Sequence, residues 1–429
     1  MPTPTPTKPT ADLRGGLLFA DPEAPPIARF SHLPGFSASP APAGVPWSAR
    51  VALDGATATL EPRATYAPFP DAVLEHDPRL SRADRTVVRA ARSAVVARVS
   101  PGIDDPFRAR KRLLRVLGAA LGEHGVAALD VAAQRIWTRE ALDDELAHDA
   151  PLDVDQMYVL HAVSGDAGVY WLHSHGLDML GAFDFDILRP DPAHVVDSVG
   201  VVRAMALASI EGRLRPGGDP MRPCSLEQQV RGVLADEFMR QATPEDARLR
   251  DPSDHTEQRV VLCDPHAKLV PAWLSKPRPS RLFQEKLPDE ALVFYSNSAS
   301  RRARERACGT YPRMRAAMEE FASMELPALV KLAYEVDGGG ENDCEHLWFE
   351  VHGCHEDELD ATLINEPYQI AAMHKGDRAR HPVSRLSDWQ IMTPVGAIKP
   401  TALHVVRAIR SDRARVEQAI AEHRAARRH

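Results

Sequence analysis

His173 and His175, two residues apart in a sequence of 429, have the type and spacing best suited to chemistry. In a strand, positions two apart face the same side, so both imidazoles can converge on one point. Such a pair suits a divalent metal such as zinc, given a further imidazole or carboxylate. Asp178, Asp184 and Asp186 follow closely, and His161 lies on the preceding strand segment. The candidate ligand set is therefore His161, His173, His175 and Asp178. A bound ion would bring the pKa of a coordinated water near neutrality, which is the chemistry of metal-assisted hydrolysis. The alternative is structural: Gly176 ends the strand, and the imidazoles bond backbone groups at the corner.

A second group holds Cys344, Glu345, His346, His352, Cys354 and His355. Its spacing fits no closed tetrahedral zinc motif, and Asp357 to Asp360 reads as a solvated turn. Cys308 lies among Arg301, Arg302, Arg304 and Arg306, cations that could depress a thiol pKa. No histidine is paired with it by motif, so a quiet helical cysteine is the simpler reading. GxSxG, GxxxxGK[ST], HExxH and a strand-following GxGxxG are all missing.

The elements that must position these residues read as an α+β chain of several domains. Residues 1–46 hold a Pro-Thr lead and a Pro-, Gly- and Ser-rich stretch. Residues 1–10 read as extended and disordered, and the remainder as a segment wrapping over a folded body. Residues 47–192 read as an α+β domain, ferredoxin-like or a similar sandwich. Within it, Arg50 to Leu60 alternates around Asp54-Gly55 and predicts a hairpin. Ala94 to Val99 predicts a buried strand. Asp105 and Pro106 predict a capped helix start with apolar residues at helical spacing beyond. Met157 to Val163 and Gly168 to His173 predict the strand pair that carries the histidines. Residues 193–308 read as a helical and mixed connecting region. There Val195 to Ile210 predicts one helix, Ser225 is expected to cap another over Leu226 to Gln241, and Lys268 to Pro288 reads as a surface excursion.

Residues 309–429 predict a helix, four or five short strands forming a small curled sheet or open barrel, and a last amphipathic helix. The order Glu345-His346-Leu-Trp348, Leu363-Ile-Asn365-Glu-Pro367, Lys375-Gly376-Asp377 and Ser387-Asp388-Trp389 resembles the YegJ-like bacterial domain family of unknown function. The resemblance covers about a fifth of the chain. It implies a small α+β module and brings no activity. Tyr170 to Leu177 resembles a segment of larger bacterial proteins ending in that domain, which implies that 47–243 is a companion domain. Glu345, His346, Trp348, Asn365, Asp388 and Trp389 are the candidate ligand-binding residues. Their other reading is structural: Asn and Asp end strands, and Trp fills a small barrel.

Composition bounds the function classes. Hydrophobic residues make up 44% of the chain and the net charge is −8, which argues against a broad nucleic-acid surface. Five cysteines without a CxxC argue against a disulfide framework and for a reducing compartment. No apolar run is long enough to span a bilayer, and the start carries no secretory pattern, so the cytosol is expected. Two readings remain. One is a binding module for a protein or small ligand, motivated by the missing catalytic motifs. The other is a metal-assisted hydrolase centred on the His-x-His pair.

Overall fold

A computed structural model describes residues 12–164, 170–194, 197–248, 250, 259–265, 276–288, 292–339 and 343–426. Residues 1–10, and residues 268–275 of the Pro- and Lys-rich excursion, lie outside the described residues; the described part of that excursion does not stay on the surface but buries Leu282 and Phe283. The fold is α+β, and among the described residues the strands form three sheets. The chain divides into two compact units, each assembled from separated stretches.

The first unit takes the described residues up to Thr65, with Ser93–Trp137 and Val154–Ala299. Its larger sheet holds β1 (Leu13–Phe19), β2 (Ser37–Ser39), β3 (Ser48–Leu53), β4 (Ala56–Pro62), β5 (Ser93–Ser100), β6 (Gly125–Asp130) and β7 (Arg135–Thr138), in the order β2-β3-β4-β5-β1-β6-β7. The Asp54-Gly55 turn joins β3 to β4 as expected, with φ of 50° and 77° at its two residues. Asp105 caps the helix Pro106–Leu121 by accepting from the Arg108 amide, and that helix covers the sheet.

Part of the lead expected to wrap over the body is instead the inner strand β1. Gly15 and Gly16 hide it, because they carry no apolar side chain to mark the buried face. The packing explains Gly15: a Cβ there would lie 2.7 Å from the Leu117 side chain of the covering helix.

The second sheet of this unit carries the histidines. Its strands are β8 (Val159–Ser164), β9 (Tyr170–His175), β10 (Asp184–Leu188), β11 (Arg231–Leu234) and β12 (Arg259–Cys263), in the order β11-β12-β10-β9-β8. β10 and β12 run parallel, and the other neighbours are antiparallel. Residues on both sides of position 192 thus share one sheet. The helix expected over Leu226 to Gln241 is confined to Ala235–Gln241, and the four residues before it give β11. Pairing with β12 satisfies the backbone of Arg231 to Leu234 and buries Val233, which outweighs the local capping signal at Ser225. Trp171, Leu188, Val233, Phe238 and Val261 form a core cluster of this sheet.

The second unit takes Tyr66–Arg92, Thr138–Asp153 and Ser300 onward. β13 (Ala328–Glu335), β14 (Cys344–Cys354), β15 (Glu358–Leu363), β16 (Arg378–Pro382) and β17 (Leu386–Ile391) form an antiparallel sheet, order β16-β15-β14-β13-β17. The helix Asn297–Glu320 lends Tyr311, Met314 and Ala317 to a core shared with Val330, Phe349, Leu363 and Trp389. The helices His404–Ser411 and Arg413–Ala426 close the same core through Val405, Ile409 and Val416.

Candidate metal centre

Strand register places the three histidines on one face. His161 on β8 lies directly opposite His173 on β9, and His175 follows two residues along β9. Cross-strand partners in an antiparallel pair, and residues two apart on a strand, point to the same side. The ring centroids accordingly lie 5.4 Å apart for His161 and His173, 4.7 Å for His161 and His175, and 4.8 Å for His173 and His175. One nitrogen from each ring falls within 4.8 Å of the others. Among the described residues this is the single group of three or more His, Cys, Asp or Glu side chains so arranged. Asp178 is not part of it.

The surroundings differ along the face. His173 is 2% exposed and packs edge-on against Trp171, with ring centroids 4.3 Å apart. His161 and His175 are half-buried, and β8 is the edge of the sheet. The group therefore has a dry side towards the core and a side open to solvent.

Beside it stand buried charges. Asp186, directly opposite His173 across β9 and β10, accepts from Arg259 Nη1 at 2.8 Å and Arg250 Nε at 2.7 Å. Arg259 Nη2 also donates to the Ser174 carbonyl at 2.7 Å. Asp184 accepts from the Ser174 hydroxyl at 2.6 Å and from the Gly176, Leu177 and Asp178 amides at 3.2, 3.4 and 3.3 Å. Burial pushes the Asp184 carboxyl up to about 6, although Ser174 and Arg259 favour its ionised form. Asp178 sits at the exposed corner, where its carboxylate accepts from the Met179 amide at 2.7 Å. Sequence spacing ranked Asp178 first because it is nearest in the chain. It noted Asp184 among the acids that follow but gave it no role, because that role depends on a turn that folds back onto β10.

The second candidate set is dispersed. Trp389 is fully buried in the core of the second unit and donates its indole N–H to Thr310 Oγ1 at 3.1 Å. Asn365 accepts the Trp348 amide at 2.8 Å. The Glu345 carboxylate accepts the Tyr368 and Gln369 amides, each at 2.9 Å. These three side chains serve the fold. His346, Trp348 and Asp388 lie on the outer sheet face, with Trp348 under the Lys331 ammonium at 5.6 Å. Ser387 Oγ donates to the Lys331 carbonyl at 3.0 Å and lies 2.9 Å from His346 Nδ1. A hydroxyl whose proton points at the backbone is poorly set up as a nucleophile.

The cysteines are quiet. Burial pushes the Cys308 thiol up against the opposing pull of Arg304, in line with a quiet helical cysteine. Burial raises the Cys354 thiol to about 11, and its sulfur lies 3.3 Å from Met318 Sδ. His352 instead faces Thr362, its Nε2 lying 2.8 Å from Oγ1.

Residues 297–426 match a family model described as "Uncharacterized protein conserved in bacteria (DUF2314)". The matched stretch contains the helix Asn297–Glu320, the sheet β13–β17 and the two closing helices, and its description carries no activity. The three-histidine group lies outside it. No curated protein and no solved structure matches the chain.

Proposed function

We propose that the first unit binds one divalent first-row metal ion on His161, His173 and His175, with zinc the foremost candidate, and uses it in hydrolysis. The observation that carries this reading is the convergence of three imidazoles on one sheet face. Each neutral imidazole has one acceptor nitrogen, and three acceptors aimed at one region favour a cation there. An all-nitrogen set without thiolate or carboxylate suits zinc, copper, nickel or iron, and suits magnesium or calcium poorly.

The exposure pattern favours a catalytic centre over a structural one. Structural zinc sites are closed by four protein ligands, whereas catalytic sites use three and leave a position for water. Here the half-buried His161 and His175 leave the solvent side accessible. Three neutral ligands also leave the ion's charge uncompensated, which lowers the pKa of a bound water towards 7.

The test is elemental analysis of purified, untagged protein after exposure to zinc and removal of the excess. The expected result is one equivalent of zinc, reduced to trace in His173→Ala/His175→Ala and in His161→Ala. Zinc-dependent cleavage of ester or phosphoester substrates, absent in the same variants, would complete the assignment. Equal metal content in wild type and variants would overturn it.

A further inference from the structure

We infer that Asp184 is the positioning residue of this centre, holding the backbone on both sides of His175 so that its imidazole meets the other two. The inference rests on the metal reading above. Asp184 is 3% exposed and sits at the start of β10. Its carboxylate grips residue 174 through the hydroxyl and residue 176 through the amide, the two chain neighbours of His175. It also takes the next two amides, so one side chain organises the whole turn from Ser174 to Asp178. Ser174 Oγ in turn accepts the Phe185 amide at 2.9 Å, which ties the ligand strand to β10 a second time.

The turn has no slack with which to adjust on its own. Gly176 adopts φ of 109°, in the region that favours glycine. A Cβ at that position would stand 2.7 Å from the Ala132 carbonyl oxygen. Arg259 completes the clamp by holding the Ser174 carbonyl. His175 therefore hangs from a backbone fixed by buried polar groups. Supports behind the ligands commonly set metal affinity by keeping them in register, and their loss costs roughly 10–100-fold.

The experiment compares wild type, Asp184→Asn and Ser174→Ala for zinc affinity by competition with a chromogenic chelator. Folding is followed by circular dichroism, and cobalt-substituted protein by visible absorption. Asp184→Asn keeps the shape but removes the charge that draws in three amides. The expected result is a folded variant that still takes one zinc, with affinity about 10–100-fold lower. Its cobalt bands should also shift, because a reoriented His175 alters the coordination geometry. Ser174→Ala should lose about tenfold, because it removes the hydroxyl's bond to the Asp184 carboxylate and its acceptance of the Phe185 amide. A folded Asp184→Asn with affinity within about twofold of wild type and unchanged cobalt bands would overturn the inference. If Asp184→Asn does not fold, Ser174→Ala decides: weakened binding supports the inference and wild-type binding overturns it. Failure of the metal reading itself is seen separately, as wild type that takes up no zinc.

Discussion

Two residues show how burial decides what a histidine does. His173 is buried among other imidazoles beside Trp171, whereas His381 is buried beside a phenol. His381 is 5% exposed, its ring packs 4.5 Å from Phe349, and its Nδ1 is bonded to the Tyr334 hydroxyl. Burial, helped by Arg385, holds its pKa below the ordinary value, so the folded protein keeps the ring neutral. The unfolded chain takes up the proton first as pH falls. His381 therefore contributes stability that is complete above its ordinary pKa near 6.5 and is lost as pH falls through the lower folded value. The second unit should melt at a lower temperature at about pH 5.5 than at about pH 7.5. His381→Phe, which keeps an aromatic ring and cannot titrate, should flatten that dependence. Thermal scans at the two pH values check it, and an unchanged slope in the variant would show that His381 is not a source of it. The residue-scale signals in the sequence were uneven. The His173 and His175 pair was legible from its spacing. His161 was legible only as a neighbour, because the register that sets it opposite His173 depends on the whole hairpin.

At the scale of elements, β8 is the piece that the proposed ion would change most. It is an edge strand, none of its residues is fully buried, and among the described residues it is paired only to β9 along Val159 to Ser164. An ion shared by His161, His173 and His175 would tie this strand across to its neighbour. Any opening that separates β8 from β9 would then have to release the ion. At free zinc about 100-fold above Kd, that adds about 2.7 kcal/mol to the opening, which slows amide exchange roughly a hundredfold. Hydrogen exchange followed by mass spectrometry should show this slowing in 159–164 and little change in the helix Pro106–Leu121. If zinc binds and the β8 amides exchange as before, His161 is not one of the ligands. The elements best read from sequence were those whose signals are local. The Asp54-Gly55 turn and the Asp105-Pro106 helix start work through neighbouring residues alone. β1 and β11 were missed because each is specified by distant partners: β5 and β6 for the first, β12 for the second.

At the scale of the molecule, the family match marks less than the unit that folds. Residues 297–426 are matched, yet the second unit also takes Tyr66–Arg92 and Thr138–Asp153 from far upstream. Linear spacing holds no trace of that recruitment, which is why the sequence suggested one contiguous C-terminal domain. The side chains show how it is secured. Arg306, on the helix Asn297–Glu320, forms a two-pronged pair with Glu145 at 2.9 and 2.6 Å, and both side chains are 3% exposed. The same guanidinium donates to the Pro151 carbonyl at 3.3 Å and the Pro400 carbonyl at 2.9 Å. Arg407 makes a parallel link to Asp144 at 2.8 Å. One buried cation thus gathers three separated stretches of chain, and it can do so only while its charge is matched. Removing Glu145 leaves that charge in a dry site without its carboxylate, a loss of about 3–5 kcal/mol. For a unit of this size, Glu145→Ala should lower the melting temperature by on the order of 10 °C. Arg306→Met combined with Glu145→Leu should recover part of the loss, because no charge is left buried, although the Pro151 and Pro400 carbonyls lose a donor. Thermal unfolding of wild type and the two variants decides the point. A Glu145→Ala protein as stable as wild type would mean that the upstream stretches lie on the second unit without supporting it. A fall that the double variant reverses would mean that the matched family region relies on residues more than 150 positions upstream for its stability.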